Sequence, residues 1–329
     1  MISFNSPSTQ LLFFGKIPSK GDFVRTVNSA SIIKVFDQWV SGAMEALVDD
    51  PRWKIIYDEH GYIDFAFFSS HDSQANHLVA GTLGFSHDSS SRRFPFICAT
   101  STEMRGTEGK LFTTLPLYLP QLWAQTRDWV ITGMTQREGN GNQLSEGVIH
   151  FHPLQNGAMT DHASFLDSTS VDDLQHMLAA AHPTFNIKQA VLAVGLLLQP
   201  VLSNRGATLN KGLFLPLPQD VYYQPLVSAF WLELISGFAN CMTAEFCLLN
   251  KPSYPASLCV GFNGASSKAL HTLMTQEKND YRIDVTEADW TDQFAQANYG
   301  LRKLITYMDH PELSLGKLKE TFNEVFMGN

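Results

Sequence analysis

Between residues 33 and 47, Ile33, Phe36, Trp39, Val40, Ala43, Met44 and Leu47 fall at three- and four-residue spacing, the mark of a helix with one apolar face. Short apolar runs at 62–68, 78–85 and 94–100 follow and read as strands. A further helical pattern covers 117–131. This alternation limits the fold more than any other feature. It predicts an α/β protein with mainly antiparallel sheet packed against helices. After Pro183 the order recurs. An apolar run at 190–198 and "LFLPLP" precede Asp220. A broad helical face of Leu226, Val227, Phe230, Trp231, Leu234, Ile235 and Phe238 then leads into strand-like stretches at 245–249 and 257–262. "GTLGF" in the first half echoes "LCVGF" in the second. Two α/β units are expected, at 1–138 and 185–329 around a connecting segment 139–184, and the echo admits a structural pseudo-repeat. The tail predicts helices over 290–308 and 311–326.

Composition narrows the function. A formal charge of -9 over 329 residues leaves no basic surplus for nucleic acid, and Arg92-Arg93 and Arg302-Lys303 are too small for a polyanion track. The longest uninterrupted apolar run, 190–198, is far short of the ~18 residues of a membrane-spanning helix, so no direct membrane insertion is expected. The first residues, "MISFNSPSTQLLFFG", lack the pattern of a secretory signal. Cys98, Cys241, Cys247 and Cys259 form no CxxC pair and sit in apolar surroundings. They read as unpaired core thiols of a reducing, cytoplasmic protein.

Two polar loops stand out. In "LFFGKIPSKGDFVR", residues 12–25, the Gly-Lys does not make a Walker A loop: the spacing fails, and Pro18 removes a donor where phosphate needs one. A tight strand-to-helix connection, with Gly21 for backbone freedom and Asp22 as cap, explains the local structure. It does not explain two lysines beside an aspartate. "SHDSSSRRFP", residues 86–95, carries Asp88, Arg92 and Arg93 and reads as a turn bracketed by an Arg–carboxylate pair. A third cluster, His150, His152 and His162, leaves open a metal-dependent hydrolase. Nucleophile motifs are missing, so the chain reads as a non-enzyme that needs no cofactor.

"FFGKIPSKGDFV" resembles the opening signature of the TagF family of type VI secretion-associated proteins, FGKxPSxGDF. "SHDSSSRRFP" is similar to its second signature, S-x-D-x-x-G-R-x-F-P, with Ser86, Asp88, Arg92, Phe94 and Pro95 matching and Ser91 where the family has Gly. The likeness continues through "LFLPLPQD", "AFWLELISGF" and "YMDHPELSLGKLKETFNEVF". It breaks at "EFCLLNKPSYP", residues 245–255, where the family has an F-W-T-G-G-like run. The resemblance implies a cytoplasmic, non-enzymatic, post-translational repressor of type VI secretion that binds the forkhead-associated scaffold protein Fha. The segments that carry it place the expected partner surface at Lys16, Ser19, Lys20, Asp22, Ser86, Asp88 and Arg92. The two loops are expected on one edge of the first unit, with an ion pair of Asp22 with Arg92, or of Asp88 with a lysine of the first loop.

Overall fold

The computed structural model describes residues 3–69, 76–105, 110–135, 143–152, 158–203, 209–239, 241, 244–252, 254–294 and 299–328. The chain begins with strands β1 (Ser3–Phe4), β2 (Ser8–Gln10), β3 (Leu12–Gly15) and β4 (Val24–Arg25), then helices α1 (Ala30–Val48) and α2 (Trp53–Asp58). Strands β5 (Tyr62–Ser69), β6 (Asn76–Gly84) and β7 (Phe96–Arg105) lead into α3 (Lys110–Thr135) and β8 (Val148–His150). Helices α4 (Ala158–Ser168), α5 (Val171–Ala179) and α6 (Ile187–Ser203) come next, then β9 (Gly212–Pro216) and α7 (Gln224–Ala239). The chain closes with β10 (Glu245–Asn250), β11 (Ser257–Gly261), α8 (Ser267–Thr275), β12 (Arg282–Asp284), α9 (Tyr299–Met308) and α10 (Leu315–Met327).

Among the described residues, ten strands form one sheet in the order β12-β9-β11-β10-β5-β6-β7-β3-β4, with β1 also on β7. Pairing is antiparallel except between β9 and β12. The α/β class and the mainly antiparallel pairing are as the sequence predicts. Alternation along β5 sorts side chains to two cores: Ile63 and Phe65 pack with α1 and α8, while Ala66 and Phe68 face α3 and α7. Helices α4, α6, α9 and α10 build an outer layer around α7.

The two halves are joined rather than repeated. Strand β10 pairs with β5 from Glu245↔Ser69 to Asn250↔Asp64, so the sheet runs unbroken from one half into the other. The aromatic-pair helices both pack on it, but α1 lies on one face and α7 on the other. Counted from the shared centre, β4, the strand before α1, is fifth out, and β9, the strand before α7, is third. The pseudo-repeat is therefore not confirmed. Each helix is anchored by a buried tryptophan whose indole N–H donates to a carbonyl: Trp39 to Ser266 at 3.1 Å, Trp231 to Pro216 at 3.0 Å.

Other boundaries shift for physical reasons. Helix α3 runs through Pro116 and Pro120 rather than starting near them, because burial of its face against the sheet and α7 outweighs the lost backbone bonds. The tail pattern at 290–308 resolves into a short 3-10 turn, Asp289–Gln293, and α9, with 295–298 outside the described residues. The Gly/Asn-rich stretch at 136–142, which reads as a loop in sequence, also lies outside them. Cys98, Cys247 and Cys259 are buried free thiols and Cys241 a half-buried one. Burial pushes the Cys259 thiol up to about 12, which keeps it protonated and unreactive. No described helix is long and apolar enough to cross a membrane.

Candidate functional site

The two signature loops meet at one end of the sheet. Strand β3 ends at Gly15 and β7 begins at Phe96, directly across the antiparallel ladder. The loop after β3 does not lead straight into a helix, as expected, but turns back as β4 to pair with β3 before α1 begins. This return brings the 16–23 segment onto the 86–95 loop, where the Ser89 amide donates to the Lys20 carbonyl at 2.9 Å.

Asp88 is the centre of the junction. It is 0 % exposed, and its carboxylate accepts from four donors. The amides of Ser90 and Arg92 reach Oδ1 at 2.9 Å each, while Lys16 Nζ at 2.9 Å and Arg92 Nε at 2.7 Å reach Oδ2. Burial alone would raise the pKa of this carboxyl. The Arg92 amide, Lys16, the Arg92 guanidinium and the Ser90 amide overturn that and hold it well below the usual carboxylate range. The expected pair of Asp88 with a first-loop lysine is thus present. Asp22 does not meet Arg92; Arg92 Nη2 donates instead to the Gly21 carbonyl at 2.7 Å, a second tie between the loops.

This geometry corrects the expected partner surface. Lys16 is only 8 % exposed, and Ser86 and Asp88 are buried, so none of the three side chains is displayed; Lys16 and Asp88 hold the loops together, while the Ser86 hydroxyl has no hydrogen-bond partner among the described residues. Tyr57, which no sequence pattern singles out, fixes Ser86: its hydroxyl accepts from the Ser86 amide at 2.9 Å and donates to the Ser86 carbonyl at 2.7 Å. Ser19 is half-buried, and Lys20 and Asp22 are exposed. Arg92 has one edge on Asp88 while 62 % of its side chain remains in solvent. Phe23 also escapes sequence reasoning. It is 41 % exposed, stacks on Phe14 at 5.7 Å, meets Phe94 edge-to-face at 4.9 Å, and lies under the Lys16 ammonium at 5.1 Å. Its place inside the GDF part of the signature is the one available signal. The exposed ring is thus held by two others on the segment that also carries the exposed Lys20 and Asp22.

Ser91 occupies the position of the family glycine and has φ 62°. The left-handed turn is kept without glycine, at a steric cost of about 1 kcal/mol. Ser91→Gly is therefore expected to stabilise the protein by at most roughly 0.5 kcal/mol in urea unfolding, net of the entropy glycine adds to the unfolded chain. A destabilised variant would show that the serine side chain itself holds the turn.

The histidines do not assemble. His150 and His152 stack at 6.3 Å, on one side as expected of a strand, but His162 sits buried in α4 near Glu233 and Lys319. Among the described residues no three His, Cys, Asp or Glu side chains come close enough to hold a metal ion. Among the described residues the hydrolase reading has no geometry to carry it.

Comparison with known proteins agrees with the loops. A crystal structure of PA0076 from Pseudomonas aeruginosa is similar at 20 % identity and a TM-score of 0.31, covering 42 % of this chain and 60 % of that one. Among curated proteins there is no match. Residues 13–148, which include both signature loops, match the type VI secretion system-associated TagF N-terminal domain. Over this region the chain is therefore similar to the TagF N-terminal domain, a domain associated with type VI secretion.

Proposed function

We propose that the chain is a non-enzymatic, post-translational negative regulator of type VI secretion system assembly. It acts in the cytoplasm by binding the forkhead-associated scaffold protein Fha. The observation that carries the reading is the loop junction inside the matched domain. A buried carboxylate locks two loops together, and the outward face of the lock is an aromatic ring among charged groups. Such an arrangement suits recognition: the backbone is fixed before the partner arrives, so little ordering entropy is lost on binding. Repression follows from occupying the scaffold, with no turnover.

The double variant Lys20→Glu with Phe23→Ala tests this. Lys20 is exposed and Phe23 packs only against Phe14, Phe94 and Lys16, so the melting temperature is expected to fall by no more than roughly 5 °C with the fold kept. Affinity for purified Fha is expected to fall at least tenfold, as loss of an aromatic anchor commonly costs ~2 kcal/mol or more. Wild-type affinity in this variant would place the interface elsewhere or remove Fha as the partner, and binding of Fha by the wild-type chain separates those two outcomes.

A further inference from the structure

A cavity of about 530 Å³ opens between α3, α7 and the centre of the sheet, away from the signature loops. Its volume is in the range of small-molecule sites. Helix α3 presents Leu119, Trp123 and Arg127 to it at four-residue spacing, β10 and β11 supply Leu248 and Leu258, and Lys251 stands just beyond the end of β10. The floor is apolar and the charge is cationic. The one carboxylate in the wall, Asp64, is fully buried and already engaged: Oδ1 accepts from Thr82 at 2.8 Å and Oδ2 from Arg127 Nη2. Counting Asp64, Arg127 and Lys251, the lining carries a formal +1, in a chain whose net charge is -9.

Arg127 is held for use. Asp64 takes one of its Nη groups, the Tyr62 ring lies 4.2 Å from its guanidinium carbon, and its Nε, enclosed, has no hydrogen-bond partner among the described residues. A buried unsatisfied guanidinium N–H costs stability unless something accepts from it.

We propose that this cavity binds an organic anion with an apolar body. Arg127 and Lys251 receive the carboxylate or phosphate head, and Leu119, Trp123, Leu248 and Leu258 enclose the body. The walls come from both halves of the chain, α3 and β5 from the first and α7, β10 and β11 from the second. Occupancy would therefore bear on how the matched N-terminal domain sits against the rest. The site is independent of the Fha reading, since it shares no residue with the loop surface.

Isothermal titration of the full chain with decanoate, beside decanol as the same body without charge, tests it. Decanoate is expected to bind saturably, one per chain and at least roughly tenfold tighter than decanol, because its head group meets two cationic side chains, Arg127 and Lys251. Lys251→Gln should weaken decanoate roughly tenfold and leave decanol unchanged. Ser228→Phe, which fills the cavity, should abolish both, with a thermal melt confirming that each variant folds. Equal affinity for decanol and decanoate, no saturable binding, or undiminished binding by a folded Ser228→Phe variant would each overturn the proposal. Should Ser228→Phe not fold, the Lys251→Gln arm and the decanol comparison still decide it.

Discussion

Replacing Asp88 by alanine is expected to lower the melting temperature by roughly 5–10 °C, the largest effect of any change confined to the loops. Four donors lose their acceptor at once, and one of them, the Lys16 ammonium, stays enclosed without a replacement. The pH dependence gives a second check with a definite sign. The folded state holds this carboxyl below its unfolded value of ~3.9, so its contribution is complete above about pH 5 and is lost as the pH falls through the acid range. The gap between wild type and Asp88→Ala should accordingly be widest near neutrality and close on acidification. A gap that stayed constant from pH 7 to pH 3 would mean that the aspartate acts through packing and not through its charge.

Gly15→Ala is expected to cost about 3–5 kcal/mol in urea unfolding. Gly15 has φ 131°, a conformation that side chains rarely adopt, and a Cβ there would lie 2.1 Å from the Pro95 carbonyl oxygen. Backbone on the facing strand cannot rotate away as a side chain could. Either the ladder of β3 with β4 and β7 opens at its end or the first signature loop leaves the second. A loss under 1 kcal/mol would show that this strand end is softer than its pairing implies.

Both residues are visible in the sequence, but their roles are not. Gly15 marks a strand end, and Asp88 groups with a first-loop lysine, because charges and glycine in a short segment point to turns. What the sequence does not convey is depth. Lys16 and Asp88 look like surface charges, yet the return of β4 onto β3 folds the 16–23 segment over them, and no local pattern signals a two-residue strand. Phe23 is hidden for the opposite reason: an aromatic in a signature reads as core, and only the fold shows its ring edge in solvent. Helical faces are legible where a stripe is clean, as in α1 and α7. The shared sheet is not, because β5 and β10 lie roughly 180 residues apart and edge pairing at that range leaves no periodicity to read.

That long-range pairing has a consequence for the matched domain taken by itself. Without β10, the row of amides and carbonyls along β5 from Asp64 to Ser69 would be bare, flanked by Phe65, Phe67 and Phe68. A long apolar strand left open at a border is a template for other chains of the same kind. In this fold the second half covers that border with β10, so the template is closed. Any sequence put in its place would have to offer a strand in the same register.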